Sequence, residues 1–101
     1  MARVTWTPQA ADDLEATCLY IARDSTRYAQ VFAAEVISST ERLAVFPRSG
    51  RVVPEIERED IREIIVAGYR LIYRLKNEEV QILTLHHGAR LLDKNSLLIE
   101  G

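Results

Sequence analysis

A chain of 101 residues, 48% apolar and 28% charged, is long enough for one modest hydrophobic core and too short for two. Thirteen Lys and Arg against fifteen Asp and Glu leave a formal charge of −2, which excludes a global positive field drawing in nucleic acid. The opening MARVTWTPQAADD lacks the apolar region of a secretory signal, and no run approaches the roughly 18 apolar residues of a membrane span, so a cytoplasmic protein without membrane contact is expected.

In chain order, Arg3, Val4, Thr5 and Trp6 alternate polar and apolar, which predicts a short strand with Val4 and Trp6 toward the core. Thr7-Pro8 is a helix start, because Thr7 can cap an orphan amide and Pro8 in the first turn loses no hydrogen bond. The first helix is predicted from Pro8 to about Ala22, with an apolar stripe of Ala11, Leu14, Cys18 and Ile21. Asp12, Asp13 and Glu15 fall near its positive end. Cys18 has no second cysteine to bond and no metal-ligand spacing around it; it reads as a small buried hydrophobe.

Asp24-Ser25-Thr26 breaks the pattern and offers a second cap. A longer helix follows from about Thr26 to Val45, with Tyr28, Phe32, Val36, Leu43 and Phe46 on its apolar side, widened by Val31 and Ile37. It would be close to 30 Å long at about 1.5 Å per residue, and Pro47 closes it. Pro47 to Gly50 is a turn by composition. Arg51 to Ile56 is partly extended, but Pro54 lacks a ladder amide and marks an edge.

After the charged loop Glu57–Asp60, apolar residues recur with a period of two in three runs: Ile61–Val66, Tyr69–Lys76 and Val80–His87. The breaks at Ala67-Gly68 and near Asn77 are short enough for hairpins. In the middle run Tyr69, Leu71, Tyr73 and Leu75 share one face, and Arg70, Ile72 and Arg74 share the other. The expected fold class is α+β: an N-terminal strand, then a helical hairpin covering one face of a mostly antiparallel, curled sheet, with the other face partly wet. Gly88 to Leu92 reads as a short turn or helix. Residues 1–92 form the expected domain and residues 93–101 a tail.

No glycine-rich phosphate loop, HExxH, CxxC or GxSxG occurs, so neither cofactor nor metal is expected. What remains is a concentration of Arg, His, Tyr and Glu along the sheet. His86 and His87 are adjacent at a strand end, so they point to opposite faces unless a bulge intervenes. An imidazole suits proton transfer near neutral pH, and arginines can stabilise a phosphoryl transition state. Glu55 is a candidate base, although exposed arginines nearby would pull its pKa down. The simpler reading of Glu55, Glu57, Glu59, Asp60 and Glu63 among Arg51, Arg58 and Arg62 is mutual pairing at the surface. Tyr69 and Tyr73 read as core or rim aromatics.

RVTWTPQAADDLEATCLYIA, LAVFPRSGRVVPEI and IREIIVAGYRLIYRLKNEEVQILTLHHGAR, in that order and at those separations, resemble the RelE/ParE superfamily of toxins from type II toxin–antitoxin pairs, over about residues 3–92. The resemblance implies the α+β fold above, a cognate antitoxin that wraps the toxin into a hetero-oligomer, and one of two targets. ParE-like members poison DNA gyrase by protein contact and lack a recognised nuclease set. RelE-like members cut mRNA in the ribosome, using basic and acid–base groups on the concave sheet and often a tyrosine near the C-terminus. Arg62 and Arg70 match basic positions on the central strands, Arg90 matches the arginine after the last strand, and His86 or His87 falls near an acid–base histidine. With Glu55, these are the candidate catalytic residues of an endoribonuclease. No tyrosine follows Tyr73, however, and Lys76 and Lys94 are the only lysines. The resemblance therefore leans toward a ParE-like gyrase inhibitor rather than a ribosome-dependent nuclease.

Overall fold

The computed structural model describes residues 1–88. Arg90, the turn or helix expected up to Leu92 and the tail 93–101 lie outside the described residues. The elements are β1 (Arg3–Trp6), α1 (Pro8–Ala22), α2 (Thr26–Val45), β2 (Arg51–Val52), β3 (Ile61–Val66), β4 (Tyr69–Lys76) and β5 (Glu79–His87). The strands lie in the order β1-β5-β4-β3-β2. β2 to β5 are antiparallel neighbours, while β1 adds to β5 in parallel, Val4 opposite Val80. The sheet is mixed and open, with β1 and β2 at its edges, rather than the curled one expected.

Both helices begin where their caps predict. Thr7 Oγ1 accepts from Ala10 N at 3.1 Å, with Pro8 in the first turn. Ser25 Oγ accepts from Tyr28 N at 3.0 Å. Leu14, Cys18 and Ile21 of the expected α1 stripe pack against the core, but its first member is Ala10, which is buried, rather than Ala11, which is exposed. The first turn holds no acid, so the dipole argument for Asp12, Asp13 and Glu15 fails, because that effect fades within one turn. On α2, Phe32, Val36 and Leu43 are buried, but Tyr28, Val31, Ile37 and Phe46 are exposed, Phe46 to 65%. The sheet covers a narrower strip of α2 than its apolar residues offer.

One core lies between the helices and the sheet, where Phe32, Val36 and Leu43 meet Val66, Leu71, Tyr73, Val80, Ile82 and Leu85. A second, smaller core lies on the opposite face, where Val53 and Ile56 pack on Ile61, Ile72 and Leu83. The face expected to stay partly wet is therefore crossed by the chain between β2 and β3. Val53 N donates to Ile61 O at one end of this strap, and Ile61 N to Arg58 O at the other.

The β3–β4 hairpin turns at Ala67 (φ 49) and Gly68 (φ 84), the double left-handed pair of a tight two-residue connection. Gly50 is required for a different reason: a Cβ there would lie 2.5 Å from Glu63 O and 2.6 Å from Tyr73 Oη. That hydroxyl accepts from Gly50 N (3.0 Å) and donates to Pro47 O (2.7 Å), fixing the α2–β2 turn against the sheet. In β5 the register slips between Ile72 and Tyr73, whose partners are Thr84 and Ile82, leaving Leu83 as an extra residue. Asp13 Oδ2 accepts from Thr84 Oγ1 (2.5 Å) and Leu85 N (3.2 Å) beside this bulge, so the acid assigned to the helix dipole instead ties α1 to an irregular strand.

Candidate functional site

The bulge decides where the histidines go. Val80 and Ile82 belong to the helix-side core, and unbroken alternation would put Thr84 and His86 there too. With Leu83 inserted, Leu85 takes that face instead. His87 follows, opposite Tyr69, with ring centroids 5.2 Å apart and planes at 77°; Tyr69 in turn meets Phe32 edge-on. His86 lies across from Arg70, on the strap side. The two histidines are thus on opposite faces, as adjacency implied.

Arg70 is the centre of the strap side. Its guanidinium donates to both Glu55 oxygens, Nη1 to Oε2 at 2.6 Å and Nη2 to Oε1 at 2.8 Å. It also donates through Nε to Glu63 Oε1 at 2.6 Å. Glu63 Oε2 accepts from Arg51 Nε at 2.5 Å, so Arg51, Glu63, Arg70 and Glu55 form a line of alternating charge. The side chains of Glu63 and Arg70 are 0% and 7% exposed, whereas that of Arg51 is 64% exposed. The hydrogen bonds that Arg70 donates to Glu55, reinforced by Glu63 against the opposing effect of burial, push the Arg70 pKa up from an already high value. The group is a fixed cation with both its faces of approach taken by carboxylates. The pairing expected at the surface is present, but its middle is buried.

A second pair repeats the pattern at Arg74, two strand periods along β4 from Arg70. Arg58 donates to Asp60 through Nε (3.0 Å) and Nη2 (2.7 Å), and Arg74 Nε stands 3.5 Å from Asp60 Oδ2 without a hydrogen bond of its own. The Arg58 hydrogen bond holds the Asp60 carboxyl below its usual pKa. Glu55 and Asp60, both from the strap, thus each carry a carboxylate to one β4 arginine.

Arg62 is elsewhere. Along β3 it alternates with Glu63 and shares its face with Ile64 and Val66, which pack toward the helices. Its guanidinium donates to Gly50 O (2.9 Å), Glu59 O (3.1 Å) and Glu59 Oε2 (3.0 Å), clasping the chain on either side of β2. Of the candidate set, then, Glu55, Arg70 and His86 are on one face; Arg62 and His87 are not with them, and Arg90 lies outside the described residues.

Sequence reasoning did not single out Glu63 as the buried partner of Arg70, nor Arg51 as its outer one. The two-residue turn at Ala67-Gly68 carried a usable signal: it fixes Glu63 opposite Ile72, and so puts Arg70 diagonal to it on the same face.

Among the described residues no helix is long and apolar enough to cross a membrane, and no three His, Cys, Asp or Glu gather at metal-binding distance. The family profile described as ParE toxin of type II toxin-antitoxin system, parDE, matches residues 4–92. The protein named Toxin RelE2 of Caulobacter vibrioides is 34% identical over 91 residues, covering 90% of this chain and 100% of that one. The structure titled chromosomal ParDE TA system from P. aeruginosa superposes with a TM-score of 0.70 at 23% identity, over 86% of this chain and 96% of that one; at this identity the likeness is one of fold.

Proposed function

The chain belongs to the ParE toxin family of type II toxin–antitoxin systems, and from that premise we propose that it acts by protein contact with DNA gyrase and is held inactive by a cognate antitoxin. The observation that supports a contact inhibitor over a nuclease is the state of Arg70. A transition-state cation must have donors aimed at where the phosphoryl oxygens will be. The Arg70 donors go instead to Glu55 and Glu63. Arg62, the second candidate, gives its donors to backbone carbonyls and Glu59. Inhibition by contact asks for no such convergence, only for a rigid surface, and the charged line beneath the strap supplies rigidity.

One observation favours the ribosome-dependent nuclease as the second reading: His86 stands across β4–β5 from Arg70 on the same face, with Glu55 beside that arginine. In that mechanism His86 or Glu55 would take the RNA 2′-hydroxyl proton while Arg70 steadied the phosphate. The discriminating experiment is purified toxin, free of antitoxin, in two assays. Gyrase supercoiling is expected to fall with toxin concentration and to recover when antitoxin is added. A ribosome-bound messenger is expected to stay intact; its cleavage, lost on His86→Ala, would replace the gyrase reading by the nuclease one.

A further inference from the structure

The outer side of α1 carries apolar side chains that nothing among the described residues covers. Ala10, Leu14, Cys18 and Ile21 turn to the core, so the helical period places Asp12, Ala16, Leu19 and Arg23 in a stripe on the opposite side, flanked by Glu15 and Tyr20. All six are exposed, Leu19 and Tyr20 to 64% and 65%. Two large apolar side chains next to each other and bounded by charge make a patch, and such a patch on a helix invites a partner.

The stripe is ordered by charge along its length. Asp12 and Glu15 stand at its start, Ala16, Leu19 and Tyr20 in its middle and Arg23 at its end, over about 16 Å. None of the three charged groups makes an ion pair among the described residues; Arg23 rests over the Tyr20 ring, 5.8 Å from its centroid. Arg23 keeps helical backbone angles (φ −58, ψ −34), so it stays in step with the stripe although it caps the helix. Turned end for end about a two-fold axis between Ala16 and Leu19, this surface is its own complement. Asp12 then meets Arg23 of a second copy, Ala16 meets Leu19, and Glu15 meets Tyr20, each pair occurring twice. Ala16 is small enough for the opposing Leu19 to enter at the usual separation of about 8–10 Å between helix axes. Asp24, the acid that follows Arg23, falls opposite Ala11 and so meets no like charge.

We infer that the outer face of α1 pairs antiparallel with the same face of a second copy of this chain, Leu19 packing on Ala16 and Asp12 bonding Arg23 across the two-fold axis. The inference goes beyond the gyrase reading and does not depend on it. Leu19 and Tyr20 supply the apolar anchor, and the charged ends fix the antiparallel register, because parallel helices would set Asp12 against Asp12 and Arg23 against Arg23. A single helix face is much smaller than the roughly 20–30 residues a side of a standard interface, so the dimer is expected to dissociate reversibly at micromolar concentration.

The test is sedimentation of the antitoxin-free toxin from about 1 μM to about 1 mM, where a monomer–dimer equilibrium is expected. Leu19→Asp is expected to raise its Kd by about tenfold or more while circular dichroism stays that of the parent. Asp12→Arg and Arg23→Asp are each expected to raise Kd about fivefold, and the double variant Asp12→Arg/Arg23→Asp to return it to within about twofold of the parent. A dimer that Leu19→Asp leaves intact would overturn α1 as the surface, and a double variant no tighter than the single ones would overturn the antiparallel pairing. A toxin monomeric at every concentration would overturn the inference outright; if Leu19→Asp then abolished gyrase inhibition or antitoxin binding, the face would belong to that partner.

Discussion

Replacing Arg70 by Met removes the cation between Glu55 and Glu63 while keeping most of the side-chain volume. Glu63 is then left fully buried with one remaining partner, Arg51, whose guanidinium is mostly in solvent. Breaking a buried pair from one side costs about 3–5 kcal/mol, because the abandoned charge keeps its desolvation penalty. For a domain of this size about 1 kcal/mol moves Tm by roughly 4–8 °C, so Arg70→Met should lower Tm by more than about 12 °C. The decisive comparison is Arg70→Met/Glu63→Met, which removes both buried charges and should regain most of that loss, since apolar replacement of a whole buried pair is often neutral or better. Glu55→Gln should cost much less, about 1 kcal/mol, because Glu55 is partly solvated and its loss leaves Arg70 paired with Glu63. Urea titrations followed by circular dichroism and by Trp6 fluorescence measure all of these. An Arg70→Met variant within about 1 kcal/mol of the parent, or a double variant no better than the single, would refute the reasoning that these charges form a buried structural unit.

Gly50→Ala should destabilise by about 1–3 kcal/mol through overpacking against Glu63 O and the Tyr73 ring, read as a lower urea midpoint at constant slope. Asp13→Ala should cost about 1–3 kcal/mol and free the Leu85 amide to exchange, since the carboxylate that accepts from it beside the bulge is gone; unchanged Leu85 protection would mean that the bulge is held by other contacts. Burial pushes the Tyr73 phenol above its usual pKa, so folding favours the neutral form. That contribution is complete below the unfolded value of about 10 and is lost as pH rises through the raised folded value. The stability difference between the parent and Tyr73→Phe should therefore shrink from about pH 9 to about pH 11, and a constant difference would contradict the assignment.

Much of the architecture was legible because its signals are local. Caps at Thr7 and Ser25, proline at the first helix start, the period of two after Ile61 and the Ala67-Gly68 turn each act within a few residues, and the elements begin and end close to where they point. The misreadings come from relations between elements. Nothing in the periodicity of α1 distinguishes Ala10 from Ala11; the contact with β5 does. Phe46 and Ile37 are apolar enough to join the core, but the sheet is not wide enough to cover them. The bulge at Leu83 reverses the facing of everything after it, and its stabilising partner, Asp13, lies 71 residues away in sequence. Fold-back of Val53–Asp60 over the second sheet face was hidden because a segment with Pro54 and five charges reads as solvated loop, whereas Val53 and Ile56 anchor it. At the candidate site the residue types were found and their relations were not: Arg62 and Arg70 sit on opposite sides of the sheet, and Glu63, lost among acids read as surface pairs, is the most buried charge of the group.

The central claim is that this fold carries its arginines as structure and its toxicity as contact. The most direct measurement is gyrase supercoiling in the presence of the antitoxin-free Arg70→Met/Glu63→Met variant. Inhibition close to that of the parent is the predicted result; a variant that folds but no longer inhibits, or a parent that leaves gyrase untouched and cuts a ribosome-bound messenger, would contradict it.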